Sequence, residues 1–313
     1  MTETMANSHI ITIVIPVYNR EQLILNALNS IAIQNCSDVK VIVVDDRSTD
    51  STIKNVNAWI SSHPNIDVKL LTNDIKGVSG ARNCGLKAVD TEYVMFFDSD
   101  DEMNPGFLKL LIDRLNMSKA DLIGWDVNFT GNGKHKRIFK VTNIWRNHLV
   151  HGSLSTQRYV ARLSLFKDAG CWNESLKAWI DFELGVRILL HNPKIEKLQL
   201  DYRQTINVNF TKDSITGSGY YEEPEKWIES LDAVEELISK YVPEQIGWIQ
   251  YRRAILAGEF SRAELKEFAK QQLDRAMKYD GLPKHCVQSI FQLHKIFKRG
   301  TWLLAYCFSK KKL

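Results

Sequence analysis

The segment Thr12-Ile13-Val14-Ile15-Pro16-Val17 constrains the fold more than any other. Its residues are apolar or β-branched without alternation, which suits a strand covered on both faces. Such a strand needs parallel neighbours and helices on either side of the sheet. The chain supplies both. Leu23, Ala27, Leu28 and Ile31 recur at helical spacing, and Val39 to Val44 is a second buried run. The alternation then repeats. Ser48 to Ser51 offer N-caps for a helix through Ile60, and Val68 to Leu71 is a short strand. Gly77 to Gly80 turns into a helix ending near Val89, and Glu92 to Phe97 is a strand. Asn104-Pro105 reads as an N-cap and first helical residue, opening a helix to about Leu115, before a strand over Ala120 to Trp125. The pattern predicts an α/β fold with a mostly parallel twisted sheet flanked by helices.

Residues 126–160 have weak periodicity and read as loops with a hairpin beside the site. Ser164 to Ala169 and Asp181 to Leu190 read as helices, and Ile195 to Val208 contains strand. From Glu222 helix follows helix, with Trp227, Leu231, Val234, Ile238 and Tyr241 on one stripe. Two regions are expected, an α/β region over 1–220 and a helical one over 221–313. Charge separates them too. Residues 240–313 hold 15 Lys and Arg against 6 Asp and Glu, which is +9. The whole chain is +4, so residues 1–239 carry −5. The five cysteines are widely spaced and form no CxxC, so reduced thiols in a cytoplasmic setting are expected.

In open α/β sheets, ligands bind beyond the carboxyl ends of the strands. Two acidic clusters occupy such ends. Val43-Val44 runs into Asp45-Asp46, and Phe96-Phe97 into Asp98-Ser99-Asp100-Asp101. Carboxylates repel a bare phosphate, but a divalent cation can bridge the two, and Mg²⁺ and Mn²⁺ favour such oxygen ligands. The spacing does not make an EF-hand, since Met103 and Lys109 stand where Gly and Glu belong. No G-x-G-x-x-G follows the first strand, and Pro16 to Glu21 forms no Gly-rich basic loop of the kind a nucleotidyltransferase would use.

Four motifs in order carry a resemblance. Ile15-Pro16-Val17-Tyr18-Asn19, Val44-Asp45-Asp46-Arg47-Ser48-Thr49-Asp50, Gly77-Val78-Ser79-Gly80-Ala81-Arg82-Asn83 and Phe97-Asp98-Ser99-Asp100-Asp101 resemble the signature of family 2 glycosyltransferases, which have the GT-A fold. The likeness covers roughly residues 10–210. It implies an inverting, metal-dependent transfer of a sugar from a nucleoside-diphosphate donor, most often a UDP-sugar, to a saccharide or lipid-linked saccharide, in bacterial surface-polysaccharide assembly. It implies that Pro16, Tyr18 and Asn19 line the nucleotide pocket. Asp45 or Asp46 would read the base or ribose, and Arg82 would reach the nucleotide or diphosphate. Asp98 would sit near the sugar or ribose and Asp100 would ligate Mn²⁺ or Mg²⁺, with Asp98, Asp101 and His151 as further ligand candidates. Asp181 aligns with the family's general base, although Ile180 stands where the family usually has Glu, and Glu183 is the fallback. Trp172 and Trp179 are candidate acceptor-stacking rings. A non-catalytic sugar-nucleotide or lipid-binding adaptor is the competing reading, and Ile180 is the feature in its favour.

The tail has its own reading. Arg252, Arg253, Arg262, Lys266, Lys270, Arg275 and Lys278 are spread through amphipathic helices. Lys295, Lys298 and Arg299 precede Trp302 to Phe308, and three lysines follow. Apolar residues flanked by cations suit peripheral contact with anionic lipid at the cytoplasmic face of the inner membrane. The competing reading is a helical module packing against a second copy of the chain. No nucleic-acid-binding motif accompanies the charge. Donor sugar, acceptor and linkage would be set by loops 126–160 and 202–222, where no code is legible.

Overall fold

The computed structural model describes residues 9–130, 135–209 and 222–297. In chain order the first elements are β1 (Ile11–Val17), α1 (Leu23–Ala32), β2 (Val39–Asp45), α2 (Thr52–Ser62), β3 (Asp67–Thr72), α3 (Val78–Lys87) and β4 (Tyr93–Phe96). Next come β5 (Glu102–Met103), α4 (Phe107–Met117), β6 (Leu122–Gly124), β7 (Val127–Phe129), β8 (His135–Arg137), α5 (Ile144–His151), β9 (Tyr159–Arg162) and α6 (Leu163–Asp168). The rest are α7 (Ile180–Leu190), β10 (Ile195–Lys197), β11 (Ile206–Val208), α8 (Pro224–Tyr241), α9 (Ile246–Arg262), α10 (Lys266–Met277) and α11 (Lys284–Phe297).

The chain divides into two compact units. The first takes the described residues within 1–142, 154–174 and 191–211. It holds a seven-stranded sheet in the order β10-β6-β9-β4-β1-β2-β3. β1 to β4 pair in parallel and β10 is parallel to β6, while β9 runs antiparallel between β4 and β6. All seven residues of β1 are buried, as the unbroken apolar run requires. Val17 lies opposite Asp45, so the loops after β1 and β2 leave the sheet side by side. Helix α3 rests directly on these strands because Gly85 has no side chain; a Cβ there would lie 2.4 Å from Val14 Cγ1. A second sheet has the order β5-β11-β7-β8.

One expectation changes here and two are filled in. Asn104 does not cap α4. The cap position is Gly106, in the left-handed region at φ 84°, and the Asn104 carboxamide instead bonds Thr205 and Asn207. Ile195 to Val208 does contain strand, as β10 of the seven-stranded sheet and β11 of the second sheet. The hairpin expected within 126–160 is present as β7–β8, but the stretch also contains α5.

The second unit takes the described residues within 143–153, 175–190 and 212–313. This is not a single cut at residue 220, because α5 and α7 belong with the later helices. The reason is apolar matching: Leu149, Phe182 and Val186 join Trp227, Leu231, Val234 and Ile238 in one buried cluster. Tyr241 does not continue the stripe and is 55% exposed. The basic residues of this unit are also not all outward. Arg253 is fully buried and donates to Asp232, Glu235 and Gln272, and Arg275 shares the same two acids. Residues 298–313, including the Trp302 to Phe308 run and the three lysines, lie outside the described residues. Among the described residues no helix is long and apolar enough to cross a membrane.

Candidate functional site

The end of β2 is a scaffold of backbone donors. Asp45 Oδ2 accepts the N–H groups of Arg47 and Ser48 at 2.9 and 3.0 Å, which holds Arg47 at φ 67°. Asp46 accepts the Gly77 N–H at 2.9 Å and the Asn73 amide at 2.7 Å, fixing the start of α3. Both acids are buried, and among the described residues Asp45 Oδ1 has no hydrogen-bond partner. The loop after β1 is tied to the same place. The Asn19 N–H donates to Ser48 Oγ at 2.9 Å, and Asn19 Oδ1 accepts from the Thr49 N–H at 2.8 Å. Asn19 is itself left-handed at φ 49°, which a short carboxamide tolerates. Pro16 is buried within β1, whereas Tyr18 is 43% exposed with Lys76 Nζ 5.7 Å from its ring centre.

The end of β4 gathers charge instead. Arg82, on α3, donates Nη2 to Asp98 Oδ1 at 2.7 Å, and its guanidinium lies 4.4 Å from the Trp172 ring centre. Gln157 donates to the other Asp98 oxygen. Asp101 is 1% exposed; its Oδ1 accepts the Asn209 N–H at 2.8 Å, and among the described residues its Oδ2 has no hydrogen-bond partner. Burial, then the charges of Asp98 and Asp100, push the Asp101 carboxyl well above the usual carboxylate range. Asn209 also donates its side-chain amide to the Asp100 carbonyl at 2.8 Å. Three carboxylates in four residues, one with an orphaned buried oxygen, form the donor set a hard divalent cation neutralises. Among the described residues no group of three His, Cys, Asp or Glu is already arranged around one point. The set therefore fits a cation whose shell is completed by phosphate oxygens and water, as Mg²⁺ commonly is.

The remaining candidates divide between the units. Trp172 is 2% exposed and packs edge-on against Phe96 in the first unit. A ring so enclosed offers no face to an acceptor sugar, so that expectation does not extend to it. Asp181, Trp179 and His151 belong to the second unit. Asp181 is in the first turn of α7, half-buried, with Oδ1 accepting the Phe182 N–H at 2.9 Å. Glu183 is bound through both oxygens to Arg187 at 2.7 Å, which removes it as a fallback base. Trp179 is half-buried beside Trp227, with the Arg252 guanidinium 4.3 Å from its ring centre. His151 is exposed at the end of α5, and the buried His148 donates Nε2–H to the Phe182 carbonyl at 2.9 Å. Gln157, Asn209 and Asn73 were not foreseen. Each is an amide far in sequence from the acid it holds, and no local pattern marks it.

Residues 12–162 match the family model described as Glycosyl transferase family 2. The chain carries a family 2 glycosyltransferase domain. The family 2 domain is 35% identical over 136 residues to the poly(ribitol-phosphate) beta-glucosyltransferase of Bacillus spizizenii, covering 42% of this chain and 22% of that protein. It is 33% identical over 114 residues to the GalNAc(5)-diNAcBac-PP-undecaprenol beta-1,3-glucosyltransferase of Campylobacter jejuni, covering 36% of this chain and 37% of that one. The chain thus spans well under half the length of these curated relatives. Among solved structures, TarS 1–349 of Staphylococcus aureus in complex with UDP-GlcNAc superposes with a TM-score of 0.70 at 23% identity, over 96% of this chain and 88% of that one. That likeness shows that the family 2 domain and the helices after it share a GT-A architecture.

Proposed function

We propose that the protein is an inverting glycosyltransferase of polysaccharide assembly, moving a sugar from a UDP-sugar to a hydroxyl of a saccharide or lipid-linked acceptor. The observation that carries this reading is the end of β4, where Asp98, Asp100 and the buried Asp101 stand beside Arg82. The UDP-GlcNAc bound by the TarS fragment supports the donor class. Asp100 and Asp101 would hold Mn²⁺ or Mg²⁺, with Asp98 kept in place by Arg82 and Gln157. The bound cation would offset the charge that develops on the leaving diphosphate. Tyr18 and Lys76 would meet the nucleotide at the open end of β1, and the unpartnered Asp45 Oδ1 would take a base or ribose donor. Asp181 would accept the proton of the acceptor hydroxyl as its oxygen bonds to the anomeric carbon. The electron pair of the breaking carbon–oxygen bond leaves with the nucleoside diphosphate, and attack from the opposite face inverts the centre.

Transfer measured with Mn²⁺ and a panel of UDP-sugars tests this. Asp181→Asn is expected to lower kcat by about 10²- to 10⁴-fold with donor affinity retained. NMR of the product should show the opposite anomeric configuration to the donor. A retained configuration, or full activity in Asp181→Asn, overturns the reading. The domain would work as a peripheral protein at the cytoplasmic face of a membrane, held by the end of α11, where Ile296 and Phe297 are 64% and 62% exposed. Flotation with anionic vesicles tests that part; no binding by the full chain overturns it.

A further inference from the structure

A cavity of about 420 Å³ opens on the four-stranded sheet of the first unit. Asn104, Asn128 and Asn207 give it carboxamides, Tyr202 a ring, and Lys136 and Arg203 cations. The carboxamides are pre-organised. Asn104 and Asn207 exchange hydrogen bonds at 3.2 and 3.1 Å, and Asn128 donates to Asn207 Oδ1 at 3.1 Å and to the Tyr202 carbonyl at 2.7 Å. Among the described residues no carboxylate lines the space. The Asp126 carboxylate that pairs with Lys136 at 3.1 Å also pairs with Lys197 at 2.7 Å, so one negative charge faces two positive ones. Arg203 is anchored through Nε to Tyr202 Oη at 2.8 Å, and among the described residues it has no ion pair.

The position of the cavity is as telling as its lining. β5 begins one residue after Asp101, and β11 ends one residue before Asn209, which holds Asp101. From Asp101 to Asn104 is three residues, at most about 10 Å of extended chain. The same two strands therefore carry the acidic loop and the cavity wall. The lining also comes from the two stretches, 126–160 and 202–222, in which substrate selection was expected to reside.

We propose that this cavity is the acceptor subsite, and that it takes an anionic polyol: a hydroxyl-rich chain or ring bearing a phosphate. The assignment rests on the glycosyltransferase reading above. Carboxamides both donate to and accept from hydroxyls, whereas Lys and Arg match phosphate oxygens. A neutral sugar would leave Arg203 without an anionic counterpart and Lys136 sharing its one carboxylate with Lys197.

Calorimetric titration of the full chain with ribitol 5-phosphate, ribitol and inorganic phosphate tests this. Ribitol 5-phosphate should bind at least tenfold more tightly than either other probe. Lys136→Ala and Arg203→Ala should each weaken it about tenfold, and Lys136→Arg should restore it, while UDP affinity of Lys136→Ala stays within twofold of wild type. Equal binding of all three probes, unchanged binding in both alanine variants, or a matching loss of UDP affinity in Lys136→Ala overturns the proposal. Selective binding of the phosphate polyol by a chain that turns over no nucleotide sugar supports the site but overturns its role as an acceptor subsite. Turnover of a UDP-sugar without polyol-phosphate binding overturns the cavity assignment alone.

Discussion

At the end of β2, Asp45 and Asp46 meet the backbone N–H groups of Arg47, Ser48 and Gly77; at the end of β4, Asp98 and Asp101 meet Arg82, Gln157 and Asn209. The first set of donors is mainly backbone and holds loops in place. The second set comes mainly from distant elements, and its one guanidinium, Arg82, is paired with Asp98. At the second end burial and the like charges of Asp98 and Asp100 work against the charged form of Asp101, although it too accepts a backbone N–H, from Asn209. The same residue type, placed after the same kind of strand, thus does two jobs. One end shapes a cradle, and in the proposed function the other would hold charge for a cation and a phosphate.

The largest test of this contrast is catalytic. Asp100→Ala should lower kcat at saturating Mn²⁺ by about 10³-fold or more, roughly 4 kcal/mol of transition-state stabilisation. Asp45→Ala should act mainly on donor KM, because its free oxygen is placed to bind rather than to react. Steady-state kinetics in donor concentration separates them. Equal kcat losses in the two variants would show that the two ends are not distinct in role.

Helix α3 joins the two ends, since Gly77 at its start bonds Asp46 and Arg82 further along bonds Asp98. Its seat on the sheet depends on Gly85, where an added Cβ would lie 2.4 Å from Val14 Cγ1 and 3.1 Å from Val44 Cγ2. Gly85→Ala should destabilise the first unit by about 1–3 kcal/mol, read from denaturant unfolding. Both ends should loosen together, so donor KM and kcat should worsen in the same variant. Unchanged stability would mean that the helix does not depend on this close approach.

Much of the α/β frame was legible, and for a physical reason. Parallel strands buried on both faces read as unbroken apolar runs, so Ile11–Val17 and Val39–Asp45 stood out. Acidic residues directly after such runs were equally plain. Less legible were partners set by tertiary register. Nothing near Gln157 or Asn209 announces that their amides meet Asp98 and Asp101, 59 and 108 residues away. Charge misled in the helical unit, where Arg253 reads as a surface cation but lies buried among Asp232, Glu235 and Gln272. A buried arginine and an exposed one look alike until their acids are placed.

The finest test uses one substitution at both ends. In Asp46→Asn, one carboxylate oxygen becomes an N–H group facing the Gly77 N–H, now 2.9 Å from Asp46 Oδ2. Two donors then face each other in a buried place, and the fold should lose about 1–3 kcal/mol. Asp101→Asn should do the reverse when no divalent cation is present. Burial, with Asp98 and Asp100 behind it, raises the Asp101 carboxyl in the folded state above its unfolded value of about 3.9. A carboxyl raised on folding contributes its stability below that unfolded value and loses it as pH rises through the folded value. At pH 8 in chelator, burying this carboxyl therefore costs the wild type stability that the amide does not lose, and Asp101→Asn should be more stable by about 1–2 kcal/mol. The gap should close as pH falls below about 3, where the wild-type carboxyl is protonated on both sides of the unfolding equilibrium. Adding Mn²⁺ should raise the melting temperature of the wild type by more than that of Asp101→Asn, because the variant keeps Asp100 but loses one ligating carboxylate. Two amides that shift stability in the same direction at pH 8, or an Asp101→Asn protein still stabilised fully by Mn²⁺, would erase the distinction between a carboxylate that shapes the backbone and one that waits for a ligand.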